Sequence, residues 1–423
     1  VVLLAFAGTA LIACSGGGDG GDEDSPIGGE IQIGPTAPQG RFASTGQVEQ
    51  SRLNTAVKSA SPRFQQLLSQ IPSTVDNRRQ VWVNDFLPIW DAWESLGASR
   101  PTSDSGIGAM EQFYADLGTT RSGTNLFSRP RMPSPRISGF DIAGALTNSY
   151  AALGFDQRNI DGSAMAGPTV QPLEVVVGDL DSSAIIATLG ECATCRDHVV
   201  VEYDGTTFYS WGLELIGDLN DRFAPPMYDH AGRGGRLLFR DGIAMRTLTD
   251  DRMKSFIDVS NGTIPSLLDE PDFELAAAAH AIAGTYAAWF SDTPFEINDA
   301  AAISASLSSV PVAQAISKLR ETEPLEEFNL ISIGWGVDTG TAYATIVIIN
   351  PDEPTAERNA QKLATRITSG SQVSGEGTWA SLVDEIEIGT SGRAVIARLL
   401  PHPDQGLFSV DHLDIAYGLA VYE

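Results

Sequence analysis

Lysine is scarce in this chain of 423 residues, with only Lys58, Lys254, Lys318 and Lys362 among 27 cations, against 54 Asp and Glu, for a formal net charge of -27. A surface this acidic repels phosphate backbones and anionic headgroups, so nucleic acid is excluded as an expected partner. Cations, neutral glycans and basic proteins remain, and the acid excess suits a protein kept soluble outside the cell. Long apolar runs are missing too. Residues 1–13, VVLLAFAGTALIA, carry no charge but fall short of the roughly 20 apolar residues of a membrane-spanning helix. The signatures of nucleophilic, metal and phosphate chemistry are also absent. There is no G-x-S-x-G elbow, S-x-x-K pair, H-E-x-x-H helix or Walker loop, and the five histidines, His198, His230, His280, His402 and His412, are scattered. No cofactor is implied. What is present is 42% apolar residues against 19% charged, ordinary for a chain that folds around a core.

The N-terminus carries an address. Residues 1–13 have the length of a signal-peptide apolar core ending in small residues, without the initiator Met and basic start, so an N-terminal truncation is expected. Leu11-Ile12-Ala13-Cys14 resembles the lipobox of bacterial lipoproteins, an aliphatic residue and a small or aliphatic pair before a Cys. The resemblance implies that the Cys14 thiol receives a diacylglycerol and that the peptide is cut just before it. Residues 15–46 follow, rich in Gly, Asp, Pro, Ser and Thr and without packing periodicity, as a disordered acidic tether.

Beyond residue 46 the chain reads as three parts. Residues 47–135 are mainly helical, from Phe64, Leu67, Leu68 and Ile71 and then Phe86, Trp90 and Trp93 at helical spacing, with QVWVND as a short strand between. Residues 136–292 alternate strand and helix. LEVVVGDLDSSAIIATLG offers a strand, Asp181 as a helix cap and Gly190 as a stop. HVVVEYDGTTFYSW and RLLFRDGIAMRTL each set Asp-Gly between β-rich runs, a strong hairpin signal. Thr249 caps a further helix, and an alanine-rich helix runs from about 272 to 290. Residues 293–423 repeat the scheme loosely, and VIINPDEPTAERNAQKLA parallels VVVGDLDSSAIIATL as a weak internal duplication. The expected class is α+β: a helical N-terminal region, then two modules of largely antiparallel sheet with helices packed on one face. ALGFDQRNIDGSAMAG, VVVGDLDSSAIIATL and EYDGTTFYSWG, in that order, resemble a group of uncharacterised exported bacterial lipoproteins. That resemblance implies fold and location, and no activity.

Two places hold candidate chemistry. Cys192 and Cys195 form a C-x-x-C pair in GECATCRDH. A redox pair opens a helix, whereas this one precedes the β-branched run VVVEY; covalent haem needs His where Arg196 stands. Zinc on Cys192, Cys195 and His198 lacks a visible fourth ligand. A disulfide is the expectation outside the cytoplasm. The second place is the connection GLELIGDLNDRFAPPMYDHAGRGGRL, long for a compact domain. It concentrates Arg222, Tyr228, Asp229, His230, Arg233 and Arg236 beside Gly232, Gly234 and Gly235, a set suited to an anionic or polar ligand held by arginine forks and backbone N–H groups. Asp229 and His230 offer an acid–base pair instead. The expectation is therefore a membrane-anchored lipoprotein of the cell envelope, on the outer face of a bacterial membrane or in the periplasm. It would bind a small ligand, a glycan or an envelope protein without catalysis. The alternative is an extracytoplasmic hydrolase using the Asp229/His230 loop.

Overall fold

The computed structural model describes residues 62–88, 91, 159–168, 171–191, 198–217, 233–240, 242–307, 310–338, 341–373, 377–401 and 412–423. The chain begins with helices α1 (Pro62–Leu68) and α2 (Val75–Arg79), the latter capped by the Thr74 hydroxyl. Strand β1 (Val81–Asp85) follows, as QVWVND leads one to expect, and β2 (Ile160–Ala166) and β3 (Leu173–Gly178) form an antiparallel pair. After α3 (Ser182–Glu191) come the hairpin β4 (Val199–Tyr203) and β5 (Thr206–Ser210), then the hairpin β6 (Arg236–Arg240) and β7 (Ile243–Thr247). Asp204 and Gly205 turn the first hairpin with both φ angles positive, at 47° and 74°, the twist a two-residue loop needs.

Helix α4 (Asp250–Ser260) is capped by Thr249, and α5 (Pro271–Ala283) opens on a proline at its first turn and stops at Gly284, whose φ of 73° is left-handed. The alanine-rich run therefore does not stay helical to residue 290. Past Gly284 it straightens into β8 (Ala287–Ser291), buried on both faces. Trp289 and Phe290 suit a strand, and one αL residue outweighs the helix propensity of Ala287 and Ala288. The remainder is β9 (Phe295–Glu296), α6 (Ile297–Leu307), α7 (Val312–Leu319), β10 (Leu330–Asp338), β11 (Thr341–Ile349), α8 (Glu353–Ser369), β12 (Val383–Ser391), β13 (Ala394–Pro401), α9 (His412–Leu419) and β14 (Val421–Tyr422).

Twelve strands form one sheet in the order β12-β13-β11-β10-β8-β1-β2-β3-β7-β6-β5-β4, every neighbour antiparallel, while β9 and β14 make a small parallel pair. The protein is a mixed α+β fold. Because β8 lies between β1 and β10, the sheet runs unbroken past residue 292, and β1, from the region expected to be helical, sits at its centre.

Helices cover both faces. On one, Phe64, Leu67 and Leu68 of α1, Met253, Phe256 and Ile257 of α4 and Phe273, Ala276 and Ala277 of α5 pack over Val83, Val175, Phe290 and Val347. On the other, Ile185 and Leu189 of α3, Leu363 and Ile367 of α8 and Ile415 and Leu419 of α9 cover Val176, Phe239, Ile346 and Leu399. Each fully covered side chain of this size stabilises by roughly 1.5–3 kcal/mol relative to exposure. A third, smaller cluster joins α6 and α7 through Ile297, Ala300, Ala315 and Leu319.

The duplication hinted at by the sequence is present in the topology. In the first half, α1 leads to β1, about 70 residues intervene that lie mostly outside the described ones, and β2–β3, α3 and the hairpin β6–β7 follow. In the second half, α5 leads to β8, an excursion holds β9, α6 and α7, and β10–β11, α8 and the hairpin β12–β13 follow. Each half adds its strands outward in the same way, with the second strand of the last hairpin inside the first.

The halves meet at β1 and β8, where Trp82 stands directly opposite Trp289. Stepping outward from that pair along the ladder, the first half presents Met165, Glu174, Arg246 and Leu237. The second presents Ile333, Ile346, Ala397 and Ile388. Directly paired residues share a face, so this is one row across ten strands with a pseudo-twofold axis at its middle.

Candidate functional site

The long connection expected to carry a ligand is closed at its base by a stem built from Trp211–Gly217 and Arg233–Arg236. The Trp211 N–H donates to the Gly235 carbonyl at 2.9 Å, and Gly217 forms a β-bridge with Arg233. Gly234 passes so close to Trp211 that a Cβ there would fall 1.9 Å from the Trp211 carbonyl oxygen, which no side chain permits.

Arg236, at the start of β6, is buried. Its Nε donates to Asp250 Oδ1 at 2.5 Å, its Nη1 to the Trp211 carbonyl at 3.3 Å and its Nη2 to Glu214 Oε1 at 3.4 Å. The same Glu214 oxygen accepts the N–H of Asp250 at 2.6 Å, a carboxylate at the first turn of α4, where free N–H groups favour an anion.

Gly234 is needed for the chain's own packing, and Arg236 is a brace facing Asp250 and Glu214. Arg233 stays at the mouth of the stem, half-buried and engaged. His198 packs against Tyr209 and Trp211, with ring centroids 5.6 and 5.4 Å apart. Arg222, Tyr228, Asp229 and His230 lie outside the described residues, as do Cys14, Cys192, Cys195, Trp90 and Trp93.

Reading along the sequence missed a charged pair inside the sheet. Glu174 of β3 and Arg246 of β7 are cross-strand partners, 3% and 6% exposed, with Nη1 3.6 Å from Oε2. In LEVVVG and IAMRTL each is a lone charge at one end of an apolar strand, which reads as a solvated strand end. Only the register shows that the two charges fall side by side, on the face shared with Trp82 and Trp289.

A second polar cluster lies on the opposite face. His280 of α5 is fully buried between Phe64 and Phe290, at centroid distances of 6.2 and 5.3 Å. Its Nε2 lies 2.6 Å from Ser332 Oγ and its Nδ1 3.2 Å from Thr285 Oγ1. Ser332 donates its proton to the Trp289 carbonyl at 2.6 Å, so its oxygen accepts from Nε2–H, and Nδ1 is left as the acceptor. This serine–histidine contact is not a nucleophile with its base: the hydroxyl proton points to a carbonyl, and both side chains are shut from water. Burial lowers the His280 pKa to about 3, which keeps the ring neutral. Among the described residues no three His, Cys, Asp or Glu side chains cluster as a metal site.

No family model matches the chain, and no curated protein matches it. Among solved structures it is similar to crystal forms I and III of TP0453, at 8% identity in both cases. The likeness covers 81% of this chain and 94% and 96% of those chains, with TM-scores of 0.31 and 0.32. At that level it carries no argument, and function has to be read from the chain's own residues.

Proposed function

We propose that the chain is an extracytoplasmic lipoprotein of the bacterial envelope, held to a membrane by a lipid on Cys14, whose sheet-built body binds a ligand or partner without catalysis. The observation that carries the reading is Leu11-Ile12-Ala13-Cys14, placed between an uncharged apolar run and the tether of residues 15–46. No helix among the described residues is long and apolar enough to cross a membrane, so a lipid would supply the attachment.

Binding is assigned to the connection joined at the 211–236 stem, because a long connection rich in Arg and Gly, with Arg233 where it leaves the stem, suits recognition of a small anionic or polar ligand, a glycan or an envelope protein. Mass spectrometry of the mature N-terminus tests the anchor: a diacylated Cys14 at residue one is expected, and an unacylated chain cut elsewhere rejects it. A thermal-shift screen of sugars, carboxylates, sulfate and divalent ions tests the loop. A stabilising hit should weaken in Arg222→Ala/Arg233→Ala while the unliganded melt stays in place. Equal responses reject the loop, and hydrolytic turnover lost in His230→Ala replaces the binding reading with the hydrolase one.

A further inference from the structure

We propose that the outer edge of β4 is a self-association surface, on which a second copy of this chain docks with its own β4 antiparallel to the first. The proposal does not depend on the anchor or on the ligand loop.

The turn fixes which backbone groups the edge offers. With Asp204-Gly205 as a two-residue loop, Tyr203 and Thr206 are the closing hydrogen-bonded pair, so Val201/Phe208 and Val199/Ser210 are hydrogen-bonded as well. Val200 and Glu202 then turn their N–H and C=O groups away from β5. Among the described residues no strand meets them, since β4 ends the sheet.

The side chains agree with the backbone. Val199 and Val200 are 60% and 56% exposed, and of the nine large apolar residues exposed among those described, six lie between Ile186 and Ile216. The hairpin is also held rigid beneath them. Tyr203 donates to Asp258 of α4 at 3.1 Å, and Lys254 sits 5.7 Å over the Tyr203 ring.

The far edge of the sheet is made differently. β12 carries Asp384, Glu385 and Glu387, with Asp384 and Glu385 exposed, and acids on an edge strand repel an added copy. In β4 the one charge is Glu202. What can cover β4 is another strand, because only a strand satisfies the Val200 and Glu202 backbone while burying the valines.

A second β4 fits its own edge. Setting Val200 against the partner's Glu202 pairs every outward N–H and C=O in two hydrogen-bonded steps and places Val201 opposite the partner's Val201. The two Glu202 carboxylates never stand face to face in this register. A β4–β12 contact would instead set the valines against acids and leave an open filament. The molecule already joins its two halves by antiparallel strands about a twofold at β1–β8, and the proposed contact repeats that geometry between copies.

The test uses the full chain carrying Cys14→Ser, so that no lipid contributes, in sedimentation velocity under reducing conditions. A dimer is expected for the parent. Val200→Pro, which removes one outward donor without touching the β4–β5 ladder, and Val200→Lys should both sediment as monomers with unchanged melting. Glu385→Lys, on the other edge, should remain dimeric. Under mild oxidation Val201→Cys should give a covalent dimer that Val199→Cys does not, since non-hydrogen-bonded pairs bring their Cα atoms to about 4.5 Å. A parent that is monomeric at every concentration overturns the proposal, as does a dimer that survives Val200→Lys or is lost in Glu385→Lys.

Discussion

The two halves of the sheet share a plan and differ in what they bury. At equivalent steps from the Trp82/Trp289 seam, the first half holds Glu174 and Arg246 where the second holds Ile346 and Ala397. On the opposite face the second half holds Ser332, bonded to His280, where the first holds Ala164. Beyond the shared plan the first half adds one hairpin, β4–β5, and with it the apolar edge. The repeated backbone thus accepts an ion pair or an aliphatic pair at the same place. The difference is testable by copying one half onto the other.

The largest effect should come from breaking the ion pair. Glu174→Ala removes the carboxylate that faces the buried Arg246 and should lower stability in denaturant unfolding by more than any other single change in this comparison. Glu174→Ile with Arg246→Ala, which copies the second half, should recover most of that loss and can be neutral. If the double variant is as unstable as the single one, the halves are not interchangeable at this step.

Acid should separate the halves next. The His280 pKa falls from 6.5 to about 3 on folding, so below pH 6.5 the unfolded chain binds a proton that the folded one refuses. Its contribution is fully present above pH 6.5 and is lost progressively as pH falls towards 3. At roughly 1.36 kcal/mol per pH unit, about 2 kcal/mol is lost by pH 5. Unfolding followed between pH 7 and 5 in wild type and His280→Gln should show this slope only in wild type; equal slopes would place the proton elsewhere.

The smallest effect concerns the equivalent helices α3 and α8. Asp181 accepts the N–H groups of Ser183 and Ala184, both at 3.0 Å, and Asp352 accepts that of Thr355 at 2.8 Å. Asp181→Ala should cost about 1 kcal/mol, and Asp352→Ala should lower the melting temperature in the same direction. An unchanged melt in either would remove that cap from the comparison.

Local signals were legible in the sequence. Asp204-Gly205, the Thr249 cap and the Asp181 cap each act within a few residues, and the structure uses each as read. Glycine and arginine are ambiguous in the sequence where their partners are distant. Gly234 and Arg236 look the same in a sequence whether they meet a ligand or meet Trp211 and Asp250, and nothing near Glu174 points to Arg246. The helix expected to reach residue 290 failed because composition continues through Gly284 while the backbone does not. The parallel between VVVGDLDSSAIIATL and VIINPDEPTAERNAQKLA was visible, but pairing Trp82 with Trp289 required the register.

The seam between the halves has a consequence in time. β1 is complete at Asp85, yet its partner on one side, β8, is not complete until Ser291, about 200 residues later. If the chain emerges N-terminus first at a pace set by synthesis, roughly 5–20 residues per second, Trp82 stands for about 10 to 40 s on a strand whose neighbour has not yet emerged. A first half that folds early therefore holds an open apolar edge in the middle of the future sheet, ready to pair with the wrong strand. A holdase present during that interval should raise the yield of folded protein more than one added after the chain is released.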